Sequence, residues 1–158
     1  MRVAVITISD TVSQKTRTDA SGPAVSARCR ELGWNIVSET VIPDDPAFIR
    51  DRLTTLAGGG EVDLILTTGG TGIGPRDSTP EATTQACEKL VPGIPEVMRE
   101  YGRKKNPHAI LSRAVAGVLG ATLIVNLPGS PKGATESLDA VAELLPHAMD
   151  VLRGARHD

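Results

Sequence analysis

The chain has 158 residues, 40% of them hydrophobic and 23% charged, the size and composition of one soluble globular domain. Its formal net charge of -2 carries no basic excess, so the chain is not read as a nucleic-acid binder. Aromatics are only 2%, namely Trp34, Phe48 and Tyr101, which excludes stacking platforms as the main recognition device and makes the core aliphatic.

In chain order, VAVITIS (3–9) is almost wholly β-branched or small, as expected of a strand buried on both faces. The apolar start is too short for a signal peptide or membrane span, so the protein is read as cytoplasmic, without membrane contact. GPAVSARCREL (22–32) reads as a helix, with Pro23 in its first turn and Gly33 at its exit. NIVSETVI (35–42) is a second strand. DPAFIRDRLTTLAGGG (45–60) is a helix with Ile49, Leu53 and Leu56 on one stripe, capped by Asp45 and stopped by glycines. VDLILTT (62–68) is a third strand, STPEATTQACEKL (78–90) a helix, and GIPEVMREYGRKKNP (93–107) another. The last of these carries Ile94, Val97, Met98 and Tyr101 on one stripe. ATLIVNLPG (121–129) is a further buried strand. SPKGATESLDAVAELLPHAMDVL (130–152) is a closing helix, kinked or restarted at Pro146.

Strands separated by helices, with nearly continuous apolar runs, predict a three-layer α/β/α fold around a mostly parallel sheet, as a single domain over 1–158. Ligands in such folds bind beyond the carboxyl ends of the strands. Four loops lie there. They open with Ser9-Asp10-Thr11, with Pro43-Asp44-Asp45-Pro46, with Gly69-Gly70 and with Pro128-Gly129-Ser130.

The third loop, GGTGIGPRD (69–77), fits neither familiar phosphate pattern. Read from Gly70 as a dinucleotide fingerprint, it has Pro75 in the last glycine place; read from Gly69 as a Walker A loop, it has Pro75 where lysine belongs. Its physics still suits an anion, because glycines let backbone N–H groups approach a phosphate and a helix start follows. The hydroxyls of Thr68, Thr71, Ser78 and Thr79, with Arg76, point the same way. The other role open to it is a tight strand-to-helix connection. Thr79 could cap the next helix with Pro80 at its first position, or Ser78 could cap it with Glu81 reaching back. Either way Asp77 is not needed as the cap; it is a metal-ligating or catalytic candidate, or a turn aspartate bound to its own backbone. Asp44 is likewise left over once Asp45 caps its helix. Two such carboxylates beside a polyphosphate would be reconciled by Mg²⁺. In the fourth loop, Lys132 sits in a first helical turn, where the dipole disfavours a cation. An anionic ligand would compensate, unless Lys132 is simply solvated. Arg103, Lys104 and Lys105 end a helix and need no ligand, the histidines His108, His147 and His157 are scattered, and Cys29 and Cys87 have no metal or disulfide spacing.

TTGGTGIGPRDSTPEAT (67–83) resembles the signature of the MogA/MoaB family, the molybdopterin adenylyltransferases of molybdenum cofactor biosynthesis, a domain also found at the amino terminus of gephyrin. ISD (8–10), SGP (21–23), PDD (43–45), ILSRAVAG (110–117) and LIVNLPGSPKG (123–133) extend the likeness over essentially the whole chain. It departs at Ala121, where many relatives have serine. The resemblance implies transfer of AMP from ATP to the terminal phosphate of molybdopterin, with Mg²⁺ and release of pyrophosphate. It implies Asp44 and Asp77 as the catalytic and Mg²⁺-holding acids. Thr68, Gly69, Gly70, Thr71, Gly72, Ser78 and Thr79 would bind nucleotide phosphates, and Ser9, Asp10, Pro128, Gly129, Ser130 and Lys132 the substrate. It further implies a homotrimer, or a hexamer in some relatives, and a separate molybdenum insertase. Other readings are a molybdopterin-binding paralogue without catalysis, a nicotinamide-nucleotide-processing relative, and an oligomerisation domain using the stripe Ile94, Val97, Met98 and Tyr101.

Overall fold

The computed structural model describes residues 1–156. Its strands are β1 (Arg2–Ile8), β2 (Asn35–Ile42), β3 (Leu64–Thr68), β4 (Lys89–Leu90), β5 (Ala116–Leu119) and β6 (Thr122–Leu127). Its helices are α1 (Asp10–Ser13), α2 (Ser21–Glu31), α3 (Pro46–Gly58), α4 (Thr79–Ala86), α5 (Gly93–Arg103), α6 (Pro131–Val141) and α7 (Leu145–Leu152), with a 3₁₀ turn at Pro107–Leu111. They form one six-stranded sheet of order β2-β1-β3-β6-β5-β4. The first four strands run parallel, and β5 and β4 complete the edge antiparallel.

Strand periodicity sorts the core onto two faces. Val3, Val5, Leu64, Leu66, Leu123, Val125 and Leu127 pack with α2, α5, α6 and α7 through Val25, Cys29, Met98, Leu138 and Met149. The alternate residues Ala4, Ile6, Ile8, Ile65 and Ile124 meet Ile49 and Leu53 of α3 and Ala82 of α4. Asn126 shares this second face and is fully buried. Its amide donates to the hydroxyls of Thr67 (2.9 Å) and Thr83 (3.0 Å), and its oxygen accepts from Val115 N–H, so a buried polar group ties β6 to β3, α4 and the start of β5.

The three-layer α/β/α fold with a mostly parallel sheet is the one expected, but some elements differ. The helix expected to run to Leu90 stops at Ala86, because Cys87 turns extended and Glu88 N–H pairs with Val118 O across to β5. β5 was not expected; it is four residues long and contains Gly117, where a Cβ would lie 2.6 Å from Cys87 Sγ. The closing segment restarts beside Pro146, as expected, which gives two helices. On α5, Ile94 and Met98 are buried whereas Val97 and Tyr101 are exposed, so the expected stripe divides between core and surface.

At the amino-terminal end of the sheet, Asp63 accepts from Arg2 N–H (2.7 Å) and from the guanidinium groups of Arg2 (3.0 Å) and Arg153 (2.8 Å), with only 8% of its side chain exposed. The Arg2 hydrogen bond, with Arg153 beside it, holds its carboxyl well below the usual carboxylate range. A carboxyl with a depressed folded pKa contributes stability above the unfolded value of about 4, and that contribution is lost as pH falls toward the folded value. Asp63→Asn is therefore expected to lower the melting temperature at pH 7 and to approach the parent at pH 3. Equal deficits at both pH values would show that charge is not the cause.

Candidate functional site

The parallel strands end together. Ser9 N–H donates to Ile42 O and Gly69 N–H to Leu127 O, so the loops after β1, β2, β3 and β6 leave the sheet side by side. The loop after β3 turns sharply at Gly69 (φ +105°) and Gly70 (φ +67°), a region L side chains avoid. A Cβ on Gly69 would lie 2.2 Å from Ile8 O, and one on Gly70 2.3 Å from Thr79 Oγ1 and 3.0 Å from Asp44 Oδ1.

The carbonyl groups of this loop are held from behind. Gly69 O accepts from the Thr79 hydroxyl, Gly70 O from Thr79 N–H, Thr71 O from Arg113 N–H, and Gly72 O from Arg113 Nε. The N–H groups of Gly70, Thr71, Gly72 and Ile73, by contrast, have no hydrogen-bond partner among the described residues. Four consecutive unpaired N–H donors are available to an anion such as a phosphate.

Acidic groups flank it. Asp10 and Asp44 clasp reciprocally: Asp10 N–H donates to Asp44 Oδ2 and Asp44 N–H to Asp10 Oδ1, both at 3.0 Å. The Arg76 guanidinium grips Asp10 through Nε (2.9 Å) and Nη2 (3.2 Å), and this pairing lowers the Asp10 pKa. Asp44 Oδ1 is buried without a partner. Burial pushes the Asp44 carboxyl above its ordinary value, and the negative charges of Asp10 and Asp77 add to the effect. Asp77 Oδ2 accepts from Gly74 N–H at 2.9 Å, the turn-aspartate geometry, and lies so close to Gly72 and Gly74 that a Cβ on either would be within 2.9 Å of it.

A cleft of about 530 Å³ opens beside the loop. Gly70, Thr71, Gly72 and Asp77 form one wall, and Pro128, Gly129, Ser130, Lys132 and Gly133 a second. The third wall is α5 and the 3₁₀ turn, contributing Arg99, Lys105 and His108. Ser130 caps α6, accepting from Gly133 N–H at 3.0 Å, which places Lys132 in the first turn at the cleft.

The residues singled out from sequence thus fall into two groups. Thr71, Gly70, Gly72, Asp77, Pro128, Gly129, Ser130 and Lys132 face the cleft, whereas Ser9, Asp10, Asp44, Thr68, Gly69, Ser78 and Thr79 do not line it. Thr68 and Thr79 are buried and donate their hydroxyls to Pro128 O (2.6 Å) and Gly69 O (3.1 Å), so these groups brace the loop. Ser9 caps α1, accepting from Val12 N–H. The capping box at α4 does not form: the Ser78 hydroxyl is buried without a partner, and Glu81 pairs with Arg113. Lys105, expected only to end a helix, also lies over the Tyr101 ring and faces Glu136 in the cleft. Arg113, within ILSRAVAG, holds atoms about forty positions earlier in the chain, so no local sequence signal marks its role. His157 lies outside the described residues.

A family model described as "Probable molybdopterin binding domain" matches residues 4–147. The chain is 38% identical over 156 residues to the molybdopterin adenylyltransferase of Helicobacter pylori strain J99, covering 98% of this chain and 89% of that protein. The molybdopterin adenylyltransferase of Escherichia coli K12 is 38% identical over 145 residues, covering 90% of this chain and 74% of that one. The crystal structure of the molybdopterin biosynthesis enzyme MoaB from Thermus thermophilus superposes with a TM-score of 0.91 at 45% identity, covering 99% of both chains.

Proposed function

The chain belongs to the molybdopterin-binding domain family, and from that premise we propose that it is a molybdopterin adenylyltransferase. An oxygen of the terminal phosphate of molybdopterin attacks the α-phosphorus of ATP. The new phosphoanhydride bond forms as the bond from the α-phosphorus to its bridging oxygen breaks, and pyrophosphate leaves with that electron pair. No protein nucleophile is required, so positioning and charge neutralisation carry the reaction.

The observation that carries this reading is the run of four unpaired N–H groups from Gly70 to Ile73, set between Asp44 and Asp77 at the mouth of a cleft. These donors orient a phosphate and stabilise charge that builds on it. Lys132 and Lys105 supply cationic charge across the cleft, Gly129 packs against the Gly69 backbone, and Pro128, Gly129 and Ser130 bound the space for the second substrate. The partnerless Asp44 Oδ1, beside Gly70, suits a cation, and Asp77 lies beside Gly72 of the same loop. Among the described residues no three His, Cys, Asp or Glu side chains group as a metal cage, so Mg²⁺ held by Asp44 and Asp77 would complete its shell with substrate phosphates and water. Bound there, Mg²⁺ would neutralise phosphate charge.

The protein is assigned to the cytoplasm, where it would hand adenylylated molybdopterin to a separate insertase. No helix among the described residues is long and apolar enough to cross a membrane. The exposed apolar side chains Ile73, Ile110 and Leu111 support assembly, and we take a homotrimer as the working form, with a hexamer as the alternative.

The test is pyrophosphate release when purified protein is mixed with ATP, Mg²⁺ and molybdopterin. Release that depends on all three supports the enzyme. Tight molybdopterin binding with no release would reassign the chain as a non-catalytic binding paralogue.

A further inference from the structure

Arg113 is the most heavily engaged side chain near the site, yet it does not line the cleft. Its main-chain N–H donates to Thr71 O at 2.8 Å, its Nε to Gly72 O at 2.8 Å and its Nη2 to Asp77 O at 3.0 Å, while Nη1 pairs with Glu81. These acceptors span both ends of the glycine loop. Every peptide bond in the described chain is trans, so each C=O turned toward Arg113 sets the N–H of the same peptide unit to point the opposite way. The units concerned carry the N–H groups of Gly72, Ile73 and Ser78. Gly72 and Ile73 belong to the unpaired run, the first set by the Arg113 main chain and the second by its guanidinium, and Ser78, also set by the guanidinium, begins the turn into α4.

We propose that Arg113 is a positioning residue that aims the phosphate-binding donors of the glycine loop and sets the backbone from which Asp77 projects. This rests on the phosphate role of the loop proposed above. Two features suit it to this work. Its planar fork reaches Gly72 O, Asp77 O and Glu81 at once, which the single nitrogen of lysine cannot do. Its charge is balanced behind the loop, so it acts through the direction of its bonds. Glu81, in the first turn of α4, pairs with that charge and fixes the fork, which accounts for the absence of a capping box at Ser78. Glycines make the loop pliable; without a brace its peptide units could rotate and the donors would diverge.

Three variants separate geometry from charge and from folding. Arg113→Lys keeps the charge and loses the fork, and Arg113→Met loses both. Binding of inorganic pyrophosphate and of Mg²⁺–ATP is measured by calorimetry, turnover by pyrophosphate release, and folding by thermal melting. Arg113→Lys is expected to lower kcat about 100-fold, the scale of a misplaced reacting group, with a much smaller change in the KM for molybdopterin and a melting temperature near that of the parent. Pyrophosphate affinity falls with it, and Arg113→Ala recovers part of its turnover in dilute methylguanidinium. Parent-like kcat and pyrophosphate affinity in Arg113→Lys overturn the proposal, as does loss that only follows the unfolded fraction and is not rescued. If the parent binds pyrophosphate but releases none from ATP, the enzyme reading falls, and weaker pyrophosphate binding by Arg113→Lys still upholds the positioning role. If the parent binds no pyrophosphate, both fall.

Discussion

Asp44→Asn is expected to reduce pyrophosphate release by about a thousandfold, the upper range for removing one electrostatic contributor from a site that works by charge placement. Its folded state is nonetheless expected to be at least as stable as the parent. The two effects have one origin. Asp44 Oδ1 is buried and partnerless, and Asp10 and Asp77 are negative neighbours. Burial first, and those charges second, raise the pKa of Asp44 in the fold. The folded state therefore holds this proton more tightly than the unfolded chain does. The stabilising contribution of that proton is complete below the unfolded carboxylate value and is lost as pH rises through the folded value. At neutral pH the ionised group opposes folding, and the neutral amide removes that cost while its oxygen still accepts from Asp10 N–H. Thermal melting should show Asp44→Asn above the parent at pH 7, with the gap narrowing as pH approaches 3. A variant with undiminished turnover would remove Asp44 from the mechanism, and a variant much less stable at pH 7 would contradict the electrostatic account.

Gly69→Ala carries the largest expected loss of stability. The backbone there sits at φ +105°, and the added Cβ would lie 2.2 Å from Ile8 O, a main-chain atom inside the sheet that cannot swing aside. Backbone strain of about 1–3 kcal/mol and overpacking of similar size together give about 3 kcal/mol after partial relaxation. For a chain of this length that corresponds to a fall in melting temperature of roughly 6–12 °C. Activity should drop further than stability, because Gly69 sets the direction of the loop that carries the unpaired donors. Gly60→Ala is the control: it also has positive φ (+72°) but meets nothing within 4 Å, so it costs only the strain. Equal melting temperatures for the two variants would mean that the contact with Ile8 is relieved by loop movement.

The central strands and the main helix starts were open to reading because their causes are local. VAVITIS and VDLILTT are continuous apolar runs since both faces of their strands are covered, and a strand with two buried faces has no polar alternation to hide it. Asp45-Pro46 and Ser130-Pro131 announce helix starts through neighbours only a few residues away, and both serve as such. The glycines at 69 and 70 show in the sequence as a cluster, and their positive φ is the reason no other residue stands there. Asp44 and Asp77 stood out as carboxylates without a capping role; Asp77 turns out to hold Gly74 N–H, a turn contact equally local in origin.

Other features depend on residues that meet only after folding. β4 is two exposed residues, and β5 is four around a glycine packed on Cys87; neither is long enough to signal a strand until β6 offers an edge to β5 and β5 offers one to β4. The Asp10–Arg76 grip, the wall of the cleft built by Lys105 and His108, and the hold of Arg113 on Gly72 and Asp77 join positions far apart in the chain. Propensity, periodicity and capping act over a few residues and carry no information about such meetings. The amino-acid order therefore specified the layers, the turn chemistry and the candidate acids. Strand order and long-range packing specified which donors are left unpaired and which side chain aims them, because hydrogen bonds at these distances are assigned by competition among all groups the fold brings together.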